Sequence, residues 1–159
     1  MEESWYAVAS TFHLTFIATL GIVVLESSAL MADSAPIDAL TNRELIRLCS
    51  KPIMNAWMSI DLLEKRLKVT HYTLRHYSSW DTEALRNWVF EGSEDGDHFV
   101  VIQSHIDDAS LSKKGQFFTW KVECRRFFKV FRIRITGKNS NGHFYLSCSG
   151  IELYGILRL

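Results

Sequence analysis

Two polar loops hold the side chains best placed for recognition chemistry. They are His76, Trp80, Asp81 and Arg86 in residues 76–86, and Asn139, Asn141 and His143 in residues 138–143. Polar groups gathered around one aromatic platform suit a sugar, a peptide or a phospho-group. The same residue types also make an ordinary solvated loop. Trp80 is the informative member, because it stands in Tyr77-Ser78-Ser79-Trp80-Asp81. In so polar a stretch an exposed indole is costly unless it packs over the end of the fold or meets a ligand.

No catalytic set accompanies these residues. The sequence has no nucleophile elbow and no glycine-rich phosphate loop. Asp107 and Asp108 are adjacent carboxylates, and neighbours on a strand point to opposite faces, so they form no acid–base couple there. In a loop they can cap a turn or bind a cation. His71, His76, His98 and His105 have no metal-ligand spacing. The expectation is a binding protein rather than an enzyme, with no catalytic residue, metal site or cofactor.

Charge narrows the choice of partner. With 18 basic and 18 acidic side chains the chain is neutral, whereas a nucleic-acid footprint needs a basic excess. The local exception is Lys121, Arg125, Arg126, Lys129, Arg132 and Arg134. Such a run suits an acidic peptide or membrane lipid, or simply a solvated strand face, and Glu123 lies within it.

The elements that must position these loops are strands. At 159 residues the chain makes one domain, or one domain with an extra segment. Aromatic residues reach 13% and crowd into the last two-thirds, which favours a sandwich filled with large rings. From residue 56 the apolar period is two. Met58, Ile60 and Leu62 mark one strand, and Leu67, Val69, His71 and Thr73 alternate with Lys68, Thr70, Tyr72 and Leu74 in the next. Residues 87–93 and 98–104 flank Glu94-Asp95-Gly96-Asp97, a hairpin turn in which Asp-Gly supplies positive φ. Further strands follow at 117–122, at 127–136 with Phe131, Ile133 and Ile135 on one face, at 144–148 and at 151–157. Trp88, Trp120 and Phe131 are expected in the core. Eight short strands point to a mainly β fold, an antiparallel sandwich or jelly roll.

The first third reads differently. Residues 14–25, LTFIATLGIVVL, form an apolar run with the length of a signal-peptide core, and Ser27 and Ala29 suit a cleavage site. The acidic Glu2 and Glu3 precede it, and the first basic residue is Arg43, unlike a signal peptide. Three cysteines, Cys49, Cys124 and Cys148, make an odd set, read as reduced thiols in a reducing compartment. After the linker ADSAPID, Thr41 and Glu44 have capping-box spacing, and Leu40 and Leu45 that of a hydrophobic staple. These predict one short N-terminal helix over 42–49, stopped by Pro52. The expected layout is a leader at 1–35, a linker and helix at 36–54, and the β-sandwich at 55–159.

Ile60-Asp61-Leu62, YTLRH, ALRNWVFEGSEDG, FRIRITG and LSCSGIELYG together resemble the coagulation factor V/VIII C-type domain, also called discoidin-like. The wording is similar to the intracellular branch found in a HECT-type ubiquitin ligase and in BTB adaptor proteins. The resemblance implies a galactose-binding-like jelly roll and a non-catalytic module that recruits a protein partner in an intracellular, cytoplasmic setting. It also implies that ligands meet the loops at one rim, where strands ahead of the "IDL" strand usually contribute; no counterpart of those strands is recognisable here. The alternative is a secreted or cell-surface lectin-like domain binding carbohydrate or lipid, which the apolar leader would support.

Overall fold

Alternating apolar residues decide the architecture. The computed structural model describes residues 23–158. Ten strands are present: β1 Val24–Ser27, β2 Leu48–Cys49, β3 Trp57–Asp61, β4 Arg66–Arg75 and β5 Trp88–Ser93, then β6 Phe99–His105, β7 Phe117–Lys121, β8 Val130–Ile135, β9 Ser147–Cys148 and β10 Gly150–Arg158. A five-stranded sheet runs β1-β3-β8-β5-β6, a three-stranded sheet runs β10-β4-β7, and β2 pairs with β9. Every pairing is antiparallel. All eight strands legible in the sequence occur, as β3 to β10.

The two larger sheets share one core. Met58, Ile60, Phe90, Phe131 and Ile133 enter it from one side, and Tyr72, Leu74, Trp120 and Leu153 from the other. Tyr72 stacks on Phe90 with ring centroids 4.1 Å apart, and the Trp88 indole donates to the Tyr72 hydroxyl at 3.1 Å. Rings of this size contribute several kcal/mol each when removed from water.

Strand β4 departs from simple alternation. His71 pairs with Tyr154 but Val69 pairs with Gly155, so Thr70 is an extra residue, a β-bulge. Leu67 and Val69 point inward before it, and Tyr72 and Leu74 after it. The sequence pattern, read without a bulge, puts His71 and Thr73 on the face of Val69. In the structure they face outward, in line with Arg75. Close approach at the bulge demands glycine, since a methyl group at Gly155 would lie 2.1 Å from the Lys68 carbonyl oxygen.

The expected helix over 42–49 is not formed, and the expected boundary at residue 55 falls inside the sandwich. A 3-10 turn, Ile37–Thr41, follows Pro36, and the chain is then extended into β2. Tertiary partners take the backbone groups that a helix would use. Ile46 N–H donates to Ser149 Oγ at 3.0 Å, and its carbonyl accepts from Ser78 N–H at 3.0 Å. Cys49 N–H donates to Ser34 Oγ at 2.9 Å. Leu40 is buried while Leu45 is exposed, so no staple closes. Two turns of helix are too short to resist this competition. The end of the apolar run, Val24 and Leu25, lies in β1 and pairs with Asp61 and Ile60. Val23 packs against the core, and residues 14–22 of the run lie outside the described residues.

Gly155→Ala should lower stability by about 1–3 kcal/mol, the range for forced overpacking. Urea unfolding checks this, and an unchanged midpoint would mean that the bulge tolerates a side chain.

Candidate recognition rim

Loop 76–87 leaves β4 through His76, which is fully buried. Its backbone N–H donates to Gln116 O at 2.8 Å. Its Nε2 lies 2.8 Å from Trp80 O and 3.0 Å from Thr82 O, so Nε2 carries the proton and bridges both carbonyls. Nδ1 is then an unprotonated nitrogen, buried without a partner. Burial lowers the pKa of this ring despite the two carbonyls.

Trp80 is held on both sides. Ser79 Oγ accepts from Arg47 at 3.0 Å, and Asp81 Oδ1 accepts from Lys114 N–H at 3.0 Å. Between these anchors the indole remains 63% exposed. Arg86 faces inward, donating to the carbonyls of Leu85 at 2.9 Å and Leu111 at 2.5 Å.

Glu83 joins this loop to loop 136–146. Its φ is 63°, a left-handed conformation unusual for a residue with a side chain. Its carboxylate accepts from Asn139 Nδ2 at 2.7 Å, Asn141 Nδ2 at 2.6 Å and His143 Nδ1 at 2.9 Å. Burial alone would raise the Glu83 pKa, but the hydrogen bonds from Asn141, Asn139 and His143 outweigh it and hold the carboxyl below its usual range. Ala84 and Ser140 add a reciprocal pair, Ala84 N–H to Ser140 Oγ at 2.9 Å and Ser140 N–H to Ala84 O at 2.8 Å.

The seven sequence-derived residues therefore divide. Asn139, Asn141 and His143 converge on Glu83, and Trp80 projects from the same loop as Glu83. His76, Arg86 and the buried Asn139 are supports whose polar groups turn inward, and Asp81 fixes a neighbouring loop. The outward groups are the Trp80 indole, Asn141 and the His143 ring, which meets Tyr145 edge to face at 5.7 Å. Sequence reasoning missed Glu83 and Arg47. An acid in one loop facing an asparagine-rich loop was the available signal for Glu83; nothing near Arg47 in the sequence points to Ser79.

A second buried histidine braces the next loop. Trp88 already donates to the Tyr72 hydroxyl, so that hydroxyl donates to His105 Nε2 at 2.5 Å, and His105 Nδ1–H donates to Asp108 at 2.7 Å. Asp108 N–H in turn donates to Arg86 O at 2.8 Å. Burial lowers the His105 pKa, and the nearby Asp108 charge does not offset it. Asp107 and Asp108 thus serve loop architecture, with Asp107 N–H donating to Asn87 at 2.9 Å.

The basic run has partners within the fold. Glu91, only 3% exposed, accepts from Arg132 at 2.7 Å and Arg134 at 2.8 Å. Arg126 pairs with Glu94 and Lys129 with Asp61. Cys49, Cys124 and Cys148 are free thiols. Among the described residues no group of three or more His, Cys, Asp or Glu side chains is arranged to hold a metal ion, and no helix is long and apolar enough to cross a membrane.

Together the sheet order and strand pairing define a β-sandwich of the discoidin-like, galactose-binding-like fold. Solved structures support this fold. A CBM32 module from Clostridium perfringens, CpGH89CBM32-5, in complex with GalNAc-β-1,3-galactose, superposes with TM-score 0.71 at 13% identity, over 91% of this chain and 100% of that one. The family 32 CBM from C. perfringens NanJ, in complex with galactose, gives 0.67 at 9% identity, over 84% and 93%.

Sequence relatives point to a different setting. The chain is 39% identical over 111 residues to E3 ubiquitin-protein ligase Ufd4 of Drosophila melanogaster, and 42% identical over 104 residues to E3 ubiquitin-protein ligase hecd-1 of Caenorhabditis elegans. These matches cover 67% and 64% of this chain but 4% of each ligase. A BTB/POZ domain-containing protein of Arabidopsis thaliana is 31% identical over 111 residues, covering 66% of this chain and 14% of that protein. No family model matches the chain.

Both buried histidines favour the neutral ring in the folded state, so the unfolded chain takes up protons first as the pH falls. Stability should be level above neutrality and decline as the pH drops below the ordinary histidine value of 6.5. Urea midpoints measured from pH 8 to 5 check this. His105→Gln should flatten the slope, and a slope that is unchanged would remove His105 as a cause.

Proposed function

We propose that this domain is a non-catalytic binding module that recruits a protein partner inside the cell, in the context of a ubiquitin ligase or an adaptor. The observation that carries the proposal is the exposed Trp80 on a loop pinned by Arg47, Lys114 and His76. A large ring presented on a rigid support loses little entropy on binding, which is the property of an interface anchor. Asn141 and His143 would supply the polar rim around it. Similarity to short segments of two ligases supports the setting.

A carbohydrate ligand is the second reading. It is favoured by the combination of an aromatic face with amide and imidazole groups, and by the galactose-containing complexes of the structural neighbours. A secreted lectin-like domain would follow from it.

Proximity labelling with the intact chain, compared with a Trp80→Ala, Asn141→Ala double variant, tests the proposal. The wild type should mark a set of cytosolic proteins that the variant loses. Unchanged partners would exclude the rim. Selective retention on a glycan array, together with a mature amino terminus near residue 30, would replace the protein-recruiting reading by the lectin-like one.

A further inference from the structure

The outer face of the three-stranded sheet carries a groove that shares no residue with the rim. Register sets two cross-strand rows there, Gly150–Arg75–Phe117 and Glu152–Thr73–Thr119. Gly150, Thr73 and Thr119 are short, whereas Arg75 and Phe117 stand tall beside them. Tyr154 continues the wall, and Asn42 and Arg43 close one end, leaving a space of about 320 Å³.

The floor is tied together internally. Thr73 and Thr119 share a hydrogen bond at 2.6 Å, and the Tyr154 hydroxyl donates to Glu152. The one acidic side chain in the groove is thereby engaged by a donor of its own wall. Two cations, Arg43 and Arg75, also line the groove. Arg75 is fixed by donation from Nη2 to Glu44 O at 2.7 Å, and Arg43 is exposed. Phe117 adds a ring that is 67% exposed at the edge strand.

We propose that this groove binds an extended acidic peptide. An Asp or Glu side chain meets the Arg43 and Arg75 guanidiniums, and a neighbouring apolar side chain lies on Phe117. In a chain that is neutral overall, the two guanidiniums make this groove locally cationic and complementary to an acidic ligand. Guanidinium groups match carboxylates in shape as well as charge. A neutral sugar would leave that charge unanswered, and a flat lipid surface would not enter the trough.

Selection of phage-displayed random dodecapeptides on the intact chain tests the proposal. Enriched sequences should place Asp or Glu next to an aromatic or aliphatic residue. Synthetic copies, followed by fluorescence anisotropy, should bind about tenfold or more weakly to Arg43→Glu and to Phe117→Ala, the size of effect expected for interface anchors. Both positions are at the surface, and an unaltered melting transition will show that the variants fold. Trp80→Ala should retain the peptides. Failure to enrich any peptide, enrichment without acidic residues, or binding to both groove variants as tight as to the wild type would overturn the proposal. Loss of the peptides in Trp80→Ala alone would also overturn it while leaving the rim reading intact. Retention of cellular partners by the rim variant, with peptides lost only in the groove variants, would sink the rim and support the groove.

Discussion

The bulge at Thr70 is the constraint on which most of this structure depends. It arises because β4 spends one more residue than β10 between His71 and Val69, opposite Tyr154 and Gly155. One extra residue turns every later side chain of a strand to the other face. Tyr72 and Leu74 are thereby directed into the core, where Tyr72 meets Phe90, Trp88 and Trp120. Thr73 and Arg75 are directed outward to line the groove. His76 then enters the next loop buried, in position to bridge the carbonyls of Trp80 and Thr82. Core, groove and rim are consequences of one local shift, and the close contact at Gly155 fixes where the shift occurs.

Carboxylates play a parallel role as nodes. Glu91 is nearly removed from water and is compensated by Arg132 and Arg134 from the adjoining strand. Removing one partner of such a group leaves an unpaired buried charge, which is far more costly than losing a surface pair. Four of the six cations in the basic run, Arg126, Lys129, Arg132 and Arg134, thus belong to the fold. Glu83 does the same work for two loops rather than two strands. With three donors on its carboxylate it is poorly suited to act as a base, and its function is to hold Asn141 and His143 in place.

The strands from β3 onward were legible from apolar, aromatic and β-branched runs set between turn residues, and in β8 burial itself alternates with period two. Phe131, Ile133 and Ile135 inward against Arg132 and Arg134 is a pattern that sequence alone resolves. The bulge was not legible, since Val69-Thr70-His71-Tyr72 offers no glycine or proline to mark it; the glycine that permits it lies in the partner strand. Strands β1 and β2 were missed for a different reason. They are short, and β2 is held by hydrogen bonds to residues about a hundred positions away. The local capping signal at Thr41 and Glu44 was real as spacing, but Arg75 and Ser149 claim the Glu44 carbonyl. Two short strands do lie ahead of "IDL", β1 and β2, in residues whose composition resembles a leader and a linker. At the rim, the right loops were named, but which side chains face out depended on His76 and Arg86 turning inward.

Rigidity links the two candidate surfaces. Each presents an exposed ring, Trp80 on a loop anchored by Arg47 and Lys114 and Phe117 on a strand paired to β4. Preorganisation of this kind lowers the entropic cost of association without adding contacts. It also restricts what can bind, because a fixed indole or phenyl ring accepts a partner of one shape. The rim offers neutral polar groups around its ring, whereas the groove offers guanidinium groups. Surfaces that differ in this way select ligands of different charge, and protonation of the buried His76 in acid would weaken the support of the rim.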